Sequence, residues 1–105
     1  MVRKLKYSLL IVLISSCAAQ KDISSYGLHY QKYKDYKSLK NAVDLMPSNI
    51  TTLQVRKILG DPIDNGFDYR YTVDSTGIHH CPVGAVFNID STGKISTWWV
   101  DEICE

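Results

Sequence analysis

The spacing of apolar residues along the chain predicts two short helices followed by three strands. The first helix spans Tyr30 to Met46, where apolar side chains recur every three or four residues. Those positions are Tyr33, Tyr36, Leu39, Val43 and Met46. Pro47 ends this helix, because the residue before a proline is displaced from the helical region. The lysines between the tyrosines also fit a basic-aromatic surface for a membrane or a nucleic acid, but a tyrosine-rich helical face packed on the domain is the simpler interpretation.

The second helix is predicted from Thr52 to Leu59 by signals at both of its ends. Thr51 is a favourable N-cap residue, and Gln54 follows at the spacing of a capping box. Gly60 can adopt the left-handed conformation that ends a helix, and Pro62 blocks any continuation.

Three strands are predicted after the second helix. Apolar and polar residues alternate from Phe67 to Val73, the period of two of a half-buried strand. The segments VGAVFNI and KISTWWV flank the turn Asp90–Gly93, so they form a hairpin. This order of elements predicts an α+β fold in which two N-terminal helices pack on one face of a three-stranded antiparallel sheet.

The N-terminus has the features of a secretory signal. Arg3, Lys4 and Lys6 precede an apolar run much shorter than the ~20 residues of a membrane-spanning helix. Residues 14–17, ISSC, resemble a bacterial lipobox, which implies acylation of Cys17 and cleavage before it. The alternative is an ordinary signal peptide that is cut nearby.

This interpretation divides the chain into a lipoprotein signal peptide at 1–16, a lipidated flexible tether at 17–29 and an α+β domain at 30–105. Ala18, rather than aspartate, follows Cys17, so in a host with two membranes we expect the outer membrane, facing the periplasm. Removing the signal peptide leaves nine basic against eleven acidic residues, with the basic ones concentrated near the tether. That distribution suits a membrane partner rather than a nucleic acid.

The segment NITTLQVRKILGDP resembles a motif of the SmpA/OmlA family of small outer-membrane lipoproteins. The matching residues are Thr51, Val55, Leu59, Gly60 and Pro62, and in the hairpin Phe87, Gly93, Lys94 and Ile95. The resemblance covers residues 49–95. Asn49 replaces the family's glycine, and the cysteine pair with the IHHCP loop is a second departure.

The resemblance implies a function as well as a fold. Members of this family include an accessory subunit of the β-barrel assembly machine, so it implies a non-enzymatic module that binds another envelope protein. It carries over no catalytic residue, cofactor or small-molecule substrate. Similar domains occur in secreted β-lactamase inhibitors, so a periplasmic inhibitor of a hydrolase is the alternative.

The cysteines predict a disulfide. With Cys17 taken by lipid, Cys81 and Cys104 remain for an oxidising compartment, and the hairpin brings their positions together. A zinc site or a catalytic pair with His79 and His80 is the rival interpretation. Adjacent residues of an extended chain point in opposite directions, structural zinc needs four ligands, and a disulfide removes the thiol. We therefore expect no metal and no catalytic residue here.

A partner-binding face is predicted from the register of the hairpin. A bulge at Gly93 would pair Phe87 with Thr97 and Ala85 with Trp99, which places Trp99 in the core. The opposite face would then centre on Trp98, together with Arg70, Thr72, Val86 and Val100. The alternatives are that the tether or the first helix covers this face, or that a shift of one residue exchanges the roles of the two tryptophans.

Overall fold

The computed structural model of the chain describes residues 21–104. Within this range three helices precede a four-stranded antiparallel sheet, which confirms the α+β class. The elements are α1 at 21–33, α2 Tyr36–Asp44, α3 Thr52–Leu59, β1 Ile63–Asp64, β2 Asp68–Thr76, β3 Pro82–Ile89 and β4 Ile95–Glu102. The strands lie in the sheet in chain order. The predicted numbers of two helices and three strands are each too low by one.

The helix predicted from Tyr30 to Met46 is interrupted after α1. Lys34 has a φ of 53°, in the left-handed region, and this ends α1. Asp35 then caps α2, since its carboxylate accepts a hydrogen bond from the backbone N–H of Ser38 at 3.0 Å. A polar capping residue thus divides a segment whose apolar spacing alone indicates one helix.

The tyrosine-rich face does not pack as predicted. Tyr30 is buried, but Tyr33 and Tyr36 are both exposed, one at the end of α1 and one at the start of α2. The break at Lys34 rotates α2 relative to α1, so the single helical face that would bury all three rings does not exist.

Residues 21–29, predicted to belong to a flexible tether, are helical in α1 and pack on the domain. Ile23 is buried in the core. A Cβ atom at Gly27 would lie 2.1 Å from the carbonyl oxygen of Ile58, so only glycine lets α1 approach α3 this closely. Gln31 Nε2 donates to the same carbonyl at 2.9 Å. The packed domain therefore includes residues 21–29 and does not start at residue 30.

Helix α3 has the predicted boundaries and the predicted N-cap, whereas Gly60 ends it with φ 88° and ψ −163° and not in the left-handed helical conformation that was expected. Thr51 Oγ1 accepts from the N–H of Gln54 at 3.1 Å, and Gln54 Oε1 accepts from the N–H of Thr51 at 3.0 Å. Val55 and Leu59 are buried on the face that meets the sheet. The capping box thus fixes the start of a helix that is too short to be stable alone.

The helices cover one face of the sheet and form a single core with it. Its buried members are Ile23, Tyr30, Leu39, Ala42, Val43, Met46, Ile50, Val55, Leu59, Tyr69, Tyr71, Val73, Ala85 and Phe87. The ring of Tyr71 meets Phe87 edge-on, with centroids 5.9 Å apart. The hydroxyls of Tyr30 and Tyr71 donate to the carbonyls of Thr72 and Gly60, at 2.6 and 2.9 Å, so both buried phenols are satisfied.

A bulge between β3 and β4 shifts the register of the hairpin by one residue. Ile89 pairs with Ile95, as expected, but Asn88 pairs with Thr97. Ser96 is therefore an extra residue on β4, as in a β-bulge. Every residue of β4 after the bulge then points to the face opposite to the one predicted.

The shift exchanges the predicted roles of the two tryptophans. Phe87 pairs with Trp98, and their ring centroids lie 6.1 Å apart, so Trp98 packs against the core. Val86 pairs with Trp99, which places Trp99 on the face away from the helices. The predicted pairs of Phe87 with Thr97 and of Ala85 with Trp99 are wrong, because the extra residue at Ser96 turns Trp98 toward Phe87.

Candidate functional site

The face of the sheet opposite the helices carries a row of residues that crosses all four strands. Ile63 pairs with Arg70, Arg70 with Val86, and Val86 with Trp99. Ile63 and Trp99, at the two ends of this row, are 56% and 41% exposed. Val86, between them, is only 3% exposed. We call these four residues, Ile63, Arg70, Val86 and Trp99, the outer row.

Arg70 is held in place by a buried carboxylate. Asp68 lies two residues earlier on the same face of β2, and its Oδ2 accepts from both Nε and Nη2 of Arg70 at 3.2 Å. Asn65 Nδ2 donates to the other oxygen, Oδ1, at 2.7 Å. Two bonds to one side of the guanidinium fix its orientation, so Arg70 lies on the sheet as an ordered cation between Ile63 and Val86.

A shallow depression of about 300 Å³ lies beside the outer row. It is lined by Ile63, Asn65, Arg70, Thr72, Pro82 and Ile103. An arginine with a settled orientation, an exposed indole and an adjacent depression are the features that recur at the centres of protein interfaces.

The structure places the predicted partner-binding residues on both sides of the sheet. Arg70 and Val86 lie on the outer face, as predicted. Trp98 and Val100 do not: they pair with Phe87 and Ala85 and pack against the core.

Two outer-row residues were missed by sequence reasoning. Trp99 was assigned to the core because the bulge at Ser96 has no sequence signature. Ile63 belongs to a strand of two residues, which is too short for alternation to reveal. Pro62, directly before it, is the one sequence feature that could have indicated this strand, since proline occurs at the starts of strands.

The other end of the sheet is closed by a disulfide between Cys81 and Cys104. Their Cα atoms lie 5.3 Å apart, and the bond joins residues 23 positions apart in the chain. Cys81 immediately precedes β3 and Cys104 follows β4, so the bond closes the hairpin at the end opposite its turn. The disulfide is therefore a covalent clamp on the two strands that carry Val86 and Trp99.

The loop with the two histidines wraps around a carboxylate. The backbone N–H groups of His79 and Cys81 both donate to Glu102 Oε2 at 2.9 Å. A Cβ atom at Gly77 would lie 2.4 Å from the Glu102 side chain, so glycine makes room for it. Both histidine side chains are exposed.

These contacts engage the groups of this loop that could ligate a metal. Across the described residues, one group of three potential ligands was found: Cys81 Sγ, Cys104 Sγ and a Glu102 oxygen, all within 4.8 Å of one another. The two sulfurs are bonded to each other, and the carboxylate accepts two backbone hydrogen bonds. Neither sulfur is therefore a thiolate ligand, and the carboxylate of Glu102 is engaged by the loop backbone.

Ser38, His29 and Asp35 form a cluster that sequence reasoning did not identify. His29 Nδ1 lies 2.6 Å from Ser38 Oγ and 2.9 Å from Asp35 Oδ1. A catalytic triad needs the serine on one ring nitrogen and the aspartate on the other, whereas here both contact Nδ1. A single nitrogen cannot donate to Asp35 and accept from Ser38 at the same time, and the contacts tie α1 to the start of α2.

The carboxyl of Asp35 is adapted to this structural role. Burial raises its pKa, but the hydrogen bonds from Ser38 and His29 outweigh burial and hold the pKa below its ordinary value. The negative charge of Asp35 also lies at the N-terminus of α2, where the helix dipole stabilises it.

The proposed lipidation site, Cys17, lies outside the described residues, as do the signal peptide and the first residues of the tether. Among residues 21–104, no helix has the length and apolar character to cross a membrane. No family model, no curated protein and no solved structure matches the chain.

Proposed function

We propose that the chain is a lipid-anchored, non-enzymatic protein-binding module of the bacterial cell envelope. Lipid on Cys17 holds it to the membrane, which in a host with two membranes is the outer membrane on its periplasmic side. The outer row of the sheet binds another envelope protein through its exposed members, Ile63 and Trp99, and through the guanidinium of Arg70. The lipobox at residues 14–17 and the resemblance of residues 49–95 to the SmpA/OmlA family support this proposal.

The observation that carries the proposal is the exposure of Trp99 in the same row as the fixed guanidinium of Arg70, with Val86 between them. An indole on a rigid sheet loses little conformational entropy on binding, and an ordered arginine is desolvated at low cost in rearrangement. Ile63 extends the apolar surface on the far side of Arg70. A surface of this composition is typical of a binding site rather than of a solvent-exposed sheet face.

The chemistry of the other candidate groups supports a non-enzymatic role. Cys81 and Cys104 are joined, Glu102 is bound by backbone amides, and His29 contacts Ser38 and Asp35 through a single nitrogen. Each of these side chains has a structural partner that accounts for its position.

Affinity purification from detergent-solubilised membranes tests the proposal. The acylated protein should retain a defined envelope protein, and Trp99→Ala should lose it while remaining folded. Leu53→Ala is the matched control, because Leu53 is an exposed apolar residue of α3 on the other side of the sheet. Equal recovery with Trp99→Ala and with the unaltered chain would contradict the assignment, and retention of a hydrolase whose activity falls would favour the inhibitor role.

The predicted lipid attachment at Cys17 is tested separately. Cys17→Ser should abolish incorporation of labelled palmitate and leave the precursor uncleaved. Incorporation as strong as in the unaltered protein would show that the lipobox interpretation is wrong.

A further inference from the structure

The outward surface of α1 is basic and carries exposed apolar and aromatic side chains. Lys21, Leu28 and Lys32 fall at helical spacing on the side opposite the buried Ile23 and Gly27. Leu28 is 65% exposed. Tyr26 and Tyr33, seven residues apart, are also exposed and lie further round the helix, beyond Asp22 and His29. We call the set Lys21, Tyr26, Leu28, Lys32 and Tyr33 the α1 surface.

The charge of this region is positive and largely uncompensated. Residues 21–40 contain five lysines and two aspartates. Lys40 pairs with Asp44, and within residues 21–104 no acidic side chain forms an ion pair with Lys21 or Lys32. Lys32 Nζ lies 5.3 Å from the centroid of the Tyr33 ring, so cation and aromatic ring form one patch.

The position of α1 in the chain brings this patch close to a bilayer. Lys21 follows the proposed lipidation site, Cys17, by four residues, which span at most ~14 Å when extended. From residue 21 onward the chain is helical and packed on the domain, so the start of α1 cannot move away from the anchor.

We infer that α1 lies along the surface of the anchoring bilayer, with its lysines on anionic phosphate headgroups. This inference rests on the proposed lipid anchor and adds an orientation to it. Leu28 and the tyrosines lie at headgroup depth, where amphipathic rings and short apolar contacts are stable. A nucleic acid would offer phosphates too, but residues 41–105 carry nine acidic against four basic residues, which repels it.

With α1 on the bilayer, the outer row lies on the side of the sheet away from the membrane. α1 contacts α3 through Gly27 and the sheet through Tyr30, whose hydroxyl donates to the carbonyl of Thr72. Both contacts lie on the helix-covered side of the sheet. A bilayer against the α1 surface therefore leaves Trp99 pointing away from the membrane, toward a partner in the aqueous compartment.

Vesicle sedimentation of the mature chain, residues 17–105 with Cys17→Ser and no acyl chain, tests the inference. This chain contains the whole described core and so retains the fold. Vesicles of phosphatidylcholine are compared with vesicles of phosphatidylcholine and phosphatidylserine at about two to one. Each lysine near such a surface contributes roughly fivefold to partitioning, so we expect binding at least ~10-fold stronger to the anionic vesicles, and reduced by added salt.

Two matched pairs of variants identify the surface. Lys32→Glu should weaken partitioning at least ~5-fold, whereas Lys94→Glu, the same charge change in the hairpin turn, should alter it less than ~2-fold. Leu28→Ser should also weaken it, and Leu53→Ser should not. Equal binding to both vesicle types, equal losses for Lys32→Glu and Lys94→Glu, or stronger binding to duplex DNA at the same phosphate concentration would each overturn the inference.

The outcome is separable from the fate of the proposed function. Failure to bind anionic vesicles, alongside capture of a partner that depends on Trp99, removes only the orientation of α1. Binding to vesicles without any Trp99-dependent partner removes the proposed protein-binding role and leaves the membrane surface in place.

Discussion

Phe87 and Trp98 lie opposite each other on β3 and β4, with ring centroids 6.1 Å apart. This contact places Trp98 on the face that the helices cover. Because side chains alternate along a strand, it also places Trp99 on the outer face, 41% exposed. Two adjacent tryptophans thus differ in what they do: one stabilises the core, and the other is available to a partner.

The two tryptophans should respond differently to truncation. Trp98→Ala removes a ring packed on Phe87 and should lower the free energy of unfolding by about 3 kcal/mol, in line with other large-to-small core changes. Trp99→Ala should lower it by less than ~1 kcal/mol. Urea denaturation measures both, and the reverse ranking would show that the register of β4 is wrong.

Gly27 distinguishes a packed helix from a flexible tether. In an exposed helix, glycine to alanine stabilises by about 1 kcal/mol. Here the added methyl group would overlap the carbonyl of Ile58, so Gly27→Ala should destabilise the protein by roughly 1–3 kcal/mol. Ser25→Ala, at an exposed position of α1, is the control and should be neutral or stabilising. The sign of the Gly27→Ala effect in thermal unfolding checks the crossing of α1 and α3.

The disulfide should account for a large share of stability. Closing a loop of this length contributes on the order of 3 kcal/mol, so Cys81→Ser should lower Tm by roughly 10 °C or more. Cys104→Ser should do the same. The double variant should be no less stable than either single one, because the bond is lost only once. Additive losses in calorimetry would mean that the two cysteines act separately.

Alkaline pH should unfold the domain through its buried phenols. Burial, followed by the charge of Asp74, raises the pKa of Tyr30 to about 12, and burial raises that of Tyr71 as well. The unfolded chain loses these protons near pH 10, so their contribution is complete below about pH 10 and is lost as the pH rises toward 12.

Urea denaturation across this range checks the alkaline prediction. The free energy of unfolding should fall by up to about 1.4 kcal/mol per pH unit for each buried phenol. Tyr30→Phe should reduce this slope, whereas Tyr36→Phe, at an exposed ring, should leave it unchanged. An identical slope in Tyr30→Phe would show that the buried phenol is not the group responsible.

The parts of the fold that the sequence predicts are those whose cause is local. The capping box of Thr51 and Gln54 fixes α3, and the hairpin turn brings Cys81 and Cys104 together; each is a short-range pattern. The class of the fold follows from the order of such elements.

The remainder depends on contacts between distant segments. In the sequence, Gly27 resembles a glycine of a flexible linker. The structure shows that glycine is needed there because the carbonyl of Ile58 lies against it where α1 crosses α3. The bulge at Ser96 accompanies the packing of Trp98 against Phe87 in the core. No residue type in β4 predicts a bulge at this position. A shift of one residue reverses which tryptophan is exposed. The sequence therefore predicted the correct face for Arg70 and Val86 but the wrong tryptophan beside them.

Site-specific photo-crosslinking at position 99 tests the central claim most directly. A photoreactive phenylalanine analogue replaces Trp99 in the full-length chain in cells, and the same analogue at Leu53, exposed on α3, is the control. The account predicts a discrete crosslink to one envelope protein from position 99 and none from position 53. No crosslink from position 99, or the same products from both positions, would contradict a protein-binding face built around Trp99.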